Sequence, residues 1–86
     1  MLLPTIHLNG TSARDLLEDN RVAAQALREA LRRLQQAGPN GRDYYPQGPT
    51  AINQALEEHQ GRLEALEKVI QDLDVIAAHL ITKEGQ

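Results

Sequence analysis

The sequence predicts an all-α fold, an antiparallel two-helix hairpin with a short extended N-terminal segment. Two stretches repeat apolar residues at alternating spacings of four and three, which is typical of coiled-coil helices. A polar segment rich in proline and glycine, residues 38–48, separates them, and opposite charges recur along their flanks. Because 86 residues without Cys, Phe or Trp supply little core, we expect assembly as a four-helix-bundle dimer or higher oligomer.

The N-terminal segment, residues 1–10, is predicted to be extended. Thr5 to Leu8 alternate polar and apolar side chains, and Asn9-Gly10 ends the alternation. We expect this segment to cover part of the second helix near its end, where apolar residues wrap beyond one stripe. Those residues are Val69, Ile70, Leu73, Val75, Ile76, Ala77, Leu80 and Ile81.

The first helix is predicted over residues 11–37. Thr11 or Ser12 caps its start, with an acid three residues after Ser12, and Gly38-Pro39 ends it. Its inward positions are Leu17, Asn20, Ala24, Leu27, Leu31 and Leu34.

The second helix is predicted over residues 49–82, with Pro49 in its first turn and residues 83–86 as a tail. The whole chain is therefore one helical-hairpin domain. The inward positions of the second helix are Ile52, Leu56, His59, Leu63, Leu66, Ile70, Leu73, Ala77 and Leu80.

Flanking residues suggest a register for the hairpin. One flank carries, in matching order, Arg14, Arg21 and Arg28 on the first helix and Asp74, Glu67 and Gln60 on the second. Each pair of numbers sums to 88, so one antiparallel register joins all three. The opposite flank is small and apolar except for Arg62, and suits a second helical pair. It consists of Leu16, Ala23, Ala30, Ala55, Val69 and Ile76.

Composition and charge argue against several functional classes. The net charge of −3 argues against general nucleic-acid binding, and no apolar stretch approaches a membrane span. Without cysteine there is neither a disulfide nor a thiolate metal site. No nucleophile or carboxylate pair occurs in a recognisable catalytic pattern. We expect a non-enzymatic protein of the host-cell cytoplasm, without cofactor or metal.

Two polar residues occupy inward positions, and we favour structural roles for both. His59 is either a structural histidine bonded to a nearby group or a buried ligand or pH-sensitive switch. Asn20 is the type of amide that fixes register in a coiled coil.

Two histidines form another candidate cluster. The fold-back brings His7 and His79 to one end of the hairpin, where Asp72 or Asp74 would complete a metal-like set of residues. No tight ligand spacing supports a metal site, so we predict none.

Basic and helix-terminal groups offer anion-binding alternatives. The arginine row of the first helix, extended by Arg32 and Arg33, is either an anion-binding face or an ion-paired flank. The segment from Asn9 to Ser12 either binds a phosphate at the helix start or caps that helix. We favour the structural alternative in both cases.

The loop carries the main candidate site. Arg42 can grip a phosphate, Tyr44 and Tyr45 can stack on a base or anchor a partner protein, and Asp43 can accept from a sugar or base. The alternative is that Arg42 and Asp43 pair while the tyrosines cover the end of the bundle. We favour binding. The predicted ligand residues are Asn40, Arg42, Asp43, Tyr44, Tyr45, His7, Asn9 and Thr11.

Two strings carry a resemblance to known proteins, Leu3-Pro4-Thr5-Ile6-His7-Leu8-Asn9-Gly10-Thr11 and Asn40-Gly41-Arg42-Asp43-Tyr44-Tyr45-Pro46-Gln47-Gly48. They resemble small helical proteins encoded by bacteriophages and prophages of proteobacteria. The resemblance implies an accessory role. Oligomeric helical hairpins that sequester cyclic-nucleotide immune signals are one such class, similar in architecture and size.

The function predicted from these observations is binding of a small anionic ligand, plausibly a nucleotide immune signal, by a homo-oligomer. The rival prediction is a protein-interaction module that inhibits or adapts a host or phage protein. In that case the tyrosine loop anchors the partner, and the apolar end of the second helix docks it.

Overall fold

The computed structural model describes residues 1–84 and confirms an all-helical hairpin. Helix α1 spans Ala13–Gln36 and helix α2 spans Ala51–Lys83, and the two pack against each other. Two short 3-10 turns, Gly41–Asp43 and Tyr45–Gln47, lie between them. Residues 1–84 contain no strand, so the N-terminal segment is extended without pairing in a sheet. In this range, no helix is long and apolar enough to cross a membrane.

Helix α1 begins at a side-chain cap. The Ser12 hydroxyl accepts a hydrogen bond from the Asp15 backbone N–H at 3.1 Å, which satisfies one free donor of the first turn. The inward amide of Asn20 donates to the Leu16 carbonyl at 2.8 Å. This bond lies within α1, because the carbonyl one turn earlier is the nearest acceptor. The sequence predicted that Asn20 fixes the register of the two helices, but its observed hydrogen bond does not cross to α2.

The predicted register was wrong by about two heptads. Arg28 pairs with Asp74 through two contacts of 2.6 and 2.7 Å, and Asp74 lies 14 residues beyond the predicted partner, Gln60. Arg14 approaches Glu84 at 3.9 Å instead of Asp74. A slip of two heptads keeps the same positions facing inward, so the spacing cannot exclude it. The ion pairs cannot decide between the two registers either, since each exposed pair contributes only about 0–1 kcal/mol.

The path of the loop explains the shifted register. A β-carbon at Gly38 would lie 3.7 Å from His59 Nε2, and one at Gly41 would lie 4.0 Å from Ile52 Cγ1. Residues 38–47 therefore run beside the first turns of α2, beyond the end of α1. The chain reverses at Gly48, whose φ of 117° lies in the region that favours glycine. The predicted register, in which paired numbers sum to 88, would place the reversal near residue 44 instead.

The N-terminal segment folds back onto the end of α2, as the sequence predicted. His79 Nε2 lies 2.9 Å from the Pro4 carbonyl oxygen. Beneath this end, Leu80 is completely buried, and Leu17 of α1 is 1% exposed. The remaining core is thin, because half of the buried apolar residues are alanines. The full set is Ala13, Leu17, Ala24, Ala55, Ile70 and Leu80.

Candidate functional site

A pocket lies between the loop and the first turns of α2. Its volume is about 160 Å³. The loop contributes a phenol and an amide, while α2 contributes an amide, a carboxylate and a guanidinium. The lining residues are Tyr44, Gln47, Ala51, Gln54, Ala55, Glu58 and Arg62.

Backbone hydrogen bonds hold the loop in place. The Asn40 side-chain oxygen accepts from the Arg42 N–H at 3.1 Å and starts the first 3-10 turn. The Tyr44 N–H donates to the Gly41 carbonyl at 3.1 Å, and the Gln47 N–H donates to the Tyr44 carbonyl at 2.9 Å. These successive turns position Tyr44 beside α2, half-buried. Asn40 is thus a structural residue of the loop, in addition to any contact with a ligand.

The pocket opens at the positive end of α2. Thr50 precedes the helix but makes no side-chain cap, and the first-turn residues Ala51 and Gln54 line the pocket. The Ala51 and Asn53 N–H groups donate to the Gly48 and Thr50 carbonyls, so the helix dipole, more than free N–H groups, favours an anion there. Arg62 adds a full positive charge, and in the described chain neither Arg62 nor Glu58 forms an ion pair. The site combines several hydrogen-bond donors with one carboxylate acceptor.

The predicted loop residues divide into two groups. Tyr44 lines the pocket, whereas Arg42 and Asp43 are exposed beside it and Tyr45 is 73% exposed. Among residues 1–84, no ion pair joins Arg42 to Asp43, and Tyr44 covers the side of α2.

Sequence reasoning missed Gln47, Gln54 and Arg62 as pocket residues. Arg62 was recognisable only as the one charged residue on an otherwise apolar flank. No sequence pattern distinguished the amides of Gln47 and Gln54, because these residues become neighbours only when the loop lies along α2.

The N-terminal candidates lie at the other end of the hairpin. His7, Asn9 and Thr11 are exposed, and the His7 ring lies over Gly10, where a β-carbon would come within 2.7 Å of Nε2. One chain therefore does not bring them to the tyrosine loop. A second cavity of about 410 Å³ opens beside them, lined by Pro4, Thr5, Ile6, His79 and Lys83. In the part of the chain that is described, no group of three His, Asp or Glu side chains could hold a metal ion.

Arg32 and Arg33 are engaged on the surface of α1. Arg32 Nη2 lies 2.6 Å from Glu29, and Arg33 Nε lies 3.3 Å from the same carboxylate. The hydrogen bond from Arg32 lowers the pKa of the Glu29 carboxyl. This pairing reduces their availability as an anion-binding face. At the start of the same helix, Ser12 acts as the cap.

His59 is buried where α1 ends. It is 8% exposed, and Nε2 has no hydrogen-bond partner among the described residues. A β-carbon built at Gly38, two residues beyond the end of α1, would lie 3.7 Å from Nε2. The sequence predicted a structural histidine that bonds a nearby group. His59 is buried as predicted, but its Nε2 lacks the predicted hydrogen bond among the described residues.

Replacing His59 with leucine is expected to raise the free energy of unfolding by about 1–2 kcal/mol, because a buried unpaired nitrogen disappears while the side-chain volume is kept. Urea denaturation followed by circular dichroism measures the change. The control, His7→Leu at an exposed position, should shift stability by less than about 0.5 kcal/mol. A loss of stability in His59→Leu would mean that the imidazole has a favourable partner.

No protein-family model, curated protein or solved structure significantly matches this chain.

Proposed function

We propose that this protein is a non-enzymatic, self-associating helical hairpin that binds a small anionic ligand at the Tyr44 pocket. The observation that carries the proposal is the unpaired Arg62 guanidinium, within residues 1–84, on the wall of a pocket that extends to the first turn of α2. Tyr44 and two glutamine amides add donors on the surrounding walls. A guanidinium that hydrogen-bonds to an anion forms one of the stronger polar contacts in proteins.

The pocket size limits which part of a ligand it encloses. Its volume of about 160 Å³ is smaller than the roughly 300–1,000 Å³ of sites that enclose whole drug-sized ligands. It suits a phosphate group, with the remainder of the ligand outside. Tyr45, 73% exposed on the same loop, offers an aromatic face for a base. A phosphate-bearing nucleotide signal is therefore the leading ligand class.

Self-association belongs to the same proposal. With few buried side chains larger than alanine, the hairpin is expected to gain stability by forming a four-helix-bundle dimer or a higher oligomer. In the bacteriophage setting that the sequence resemblance implies, an abundant oligomer of this kind would sequester a nucleotide immune signal.

Calorimetry with cyclic di- and trinucleotides, ADP-ribose and inorganic phosphate tests ligand binding. Arg62→Gln is expected to weaken binding at least about tenfold, because one charge-assisted hydrogen bond is lost. Tyr45→Ala should weaken base-bearing ligands and leave phosphate unchanged. Arg21→Gln, at an exposed position outside the pocket, is the control and should bind normally. Absence of binding to every member of the panel would overturn the ligand proposal.

Protein interaction is the second candidate, and exposed apolar side chains favour it. Tyr45 is 73% exposed on the loop, and Leu2 and Leu8 are 96% and 98% exposed at the opposite end of the hairpin, so each end offers exposed side chains of the kind that anchor partner proteins. A stoichiometric partner from host lysate that is lost with Tyr45→Ala, combined with silent calorimetry, would establish this function instead.

A further inference from the structure

One side of the hairpin, here called the apolar flank, is only partly covered. On α2 it follows residues seven apart beyond the buried Ala55, namely Arg62, Val69, Ile76 and Lys83, and on α1 it comprises Leu16, Ala23 and Ala30. Val69 is 46% exposed, and both Ala23 and Ala30 are exposed. Small side chains on α1 leave room for another helix to approach closely. The opposite flank is occupied by the Arg28–Asp74 pair.

The exposed area is large enough for a dimer interface. The accessible surface is 6389 Å², whereas a compact monomer of 9.5 kDa is expected to expose about 5,000 Å². The difference arises because the hairpin is elongated, with extents of 61 × 21 × 18 Å. A second copy in a standard interface would bury roughly 800 Å² of the surface of each partner.

We propose that a second copy covers the apolar flank, with α2 packed antiparallel against α2 of its partner and the two-fold axis near Val69. In this arrangement, the numbers of two residues that face each other across the interface sum to about 138. Arg62 then lies level with Ile76 of the partner subunit, with its side chain turned to the Tyr44 pocket that it lines, and Lys83 lies level with Ala55 of the partner subunit. Since α2 rises about 1.5 Å per residue, the Arg62 contact lies roughly 10 Å from the axis and the Lys83 contact roughly 21 Å from it.

Charge favours this orientation over the alternative. Lys83 lies one turn from Glu58 of the partner subunit, and within residues 1–84 neither has an ion-pair partner. Rotation of the partner about an axis along the helices would instead place α1 of the partner subunit against α2. Arg14 reaches Glu84 within one chain, so Arg14 of the partner subunit would then lie level with Lys83. Lys83 would then face an arginine that already pairs with its own Glu84, and Glu58 would gain no counterpart.

The proposed dimer also brings the two cavities together. His79 and Lys83 line the N-terminal cavity, and in this register they oppose residues 55–59, where the Tyr44 pocket lies. Each pocket would then be completed by Lys83 and the Pro4–Ile6 segment of the second copy. This composite site rests on the proposed anion binding, whereas the dimer itself does not.

Light scattering on matched valine variants tests the interface. The wild-type protein is expected at about twice 9.5 kDa, and Val69→Asp at the monomer mass with unchanged helicity by circular dichroism. Val75→Asp is the control, because Val75 is similarly exposed, at 50%, on another side of α2. A monomeric wild-type protein, or equal behaviour of the two variants, would overturn the assigned interface.

Cysteine cross-linking tests the orientation in a chain that has no cysteine of its own. An equimolar mixture of Glu58→Cys and Lys83→Cys should form mixed disulfide dimers on oxidation. If that mixture gave no more cross-linked product than either variant alone, the antiparallel arrangement would be wrong.

Calorimetry on Lys83→Ala then separates the composite site from the dimer. At unchanged mass, this variant should bind the anionic ligand found for wild type at least tenfold more weakly, and unchanged affinity would overturn the composite site. If wild type binds none of the panel, the anion-binding function and the composite site fail together, while the mass and cross-linking results still decide the dimer.

Discussion

Replacing Leu80 with alanine is expected to lower the free energy of unfolding by about 2–5 kcal/mol. Leu80 is fully buried, and within residues 1–84 only Leu17 is a comparably enclosed large side chain. The substitution removes apolar contacts and leaves a cavity between α2 and its neighbours. Small domains have marginal stability, so this loss is a large share of the total. Urea denaturation of the folded protein, followed by circular dichroism, measures it.

The matched control for this prediction is Leu8→Ala. Leu8 is 98% exposed, so the same chemical change should alter stability by less than about 0.5 kcal/mol. Equal losses at the two positions would contradict the packing at the end of α2. A comparable loss is expected for Leu17→Ala, because Leu17 is 1% exposed in the same core.

Replacing Gly48 with alanine is expected to lower the free energy of unfolding by about 1–3 kcal/mol. Gly48 has φ 117° and ψ 163°, a backbone conformation that residues with a β-carbon rarely adopt. Nothing lies within 4 Å of a β-carbon built there, so the loss would come from backbone strain alone. Thermal and urea denaturation both report it.

The same chemical change at Gly61 is expected to have the opposite effect on stability. Gly61 lies inside α2 with open space around its α-carbon, and alanine is favoured over glycine there by about 0.5–1 kcal/mol. Gly61→Ala should therefore stabilise the protein while Gly48→Ala destabilises it. If Gly48→Ala were neutral, the chain would reverse elsewhere, and the position of the loop along α2 would need revision.

Apolar spacing was sufficient to predict both helices and their inward faces. Leu17, Ala24, Ile70 and Leu80 were all assigned inward and are buried. One inward assignment was wrong, because Leu56 is 48% exposed and the neighbouring Ala55 is buried instead. The spacing was ambiguous there, since a helix also repeats at intervals of three residues.

The candidate site was only partly predictable. The loop was identified from its unusual composition, and Tyr44 does line a pocket. Its principal cation is nevertheless Arg62, which lies 18 residues further along the chain, not Arg42. Residues so far apart become neighbours only through the path of the loop, which local propensities do not specify.

By itself, the sequence determined the all-helical hairpin, a side-chain cap of α1 at Thr11 or Ser12 and the residues able to face inward. These features depend on local backbone preferences and on periodic burial, both written in neighbouring residues. Only the tertiary structure decided the register, because a shift of two heptads leaves the inward pattern unchanged. That register places the loop beside α2 and brings Tyr44 close to Arg62, so the pocket depends on it. The flank that carries Val69 is the same in either register.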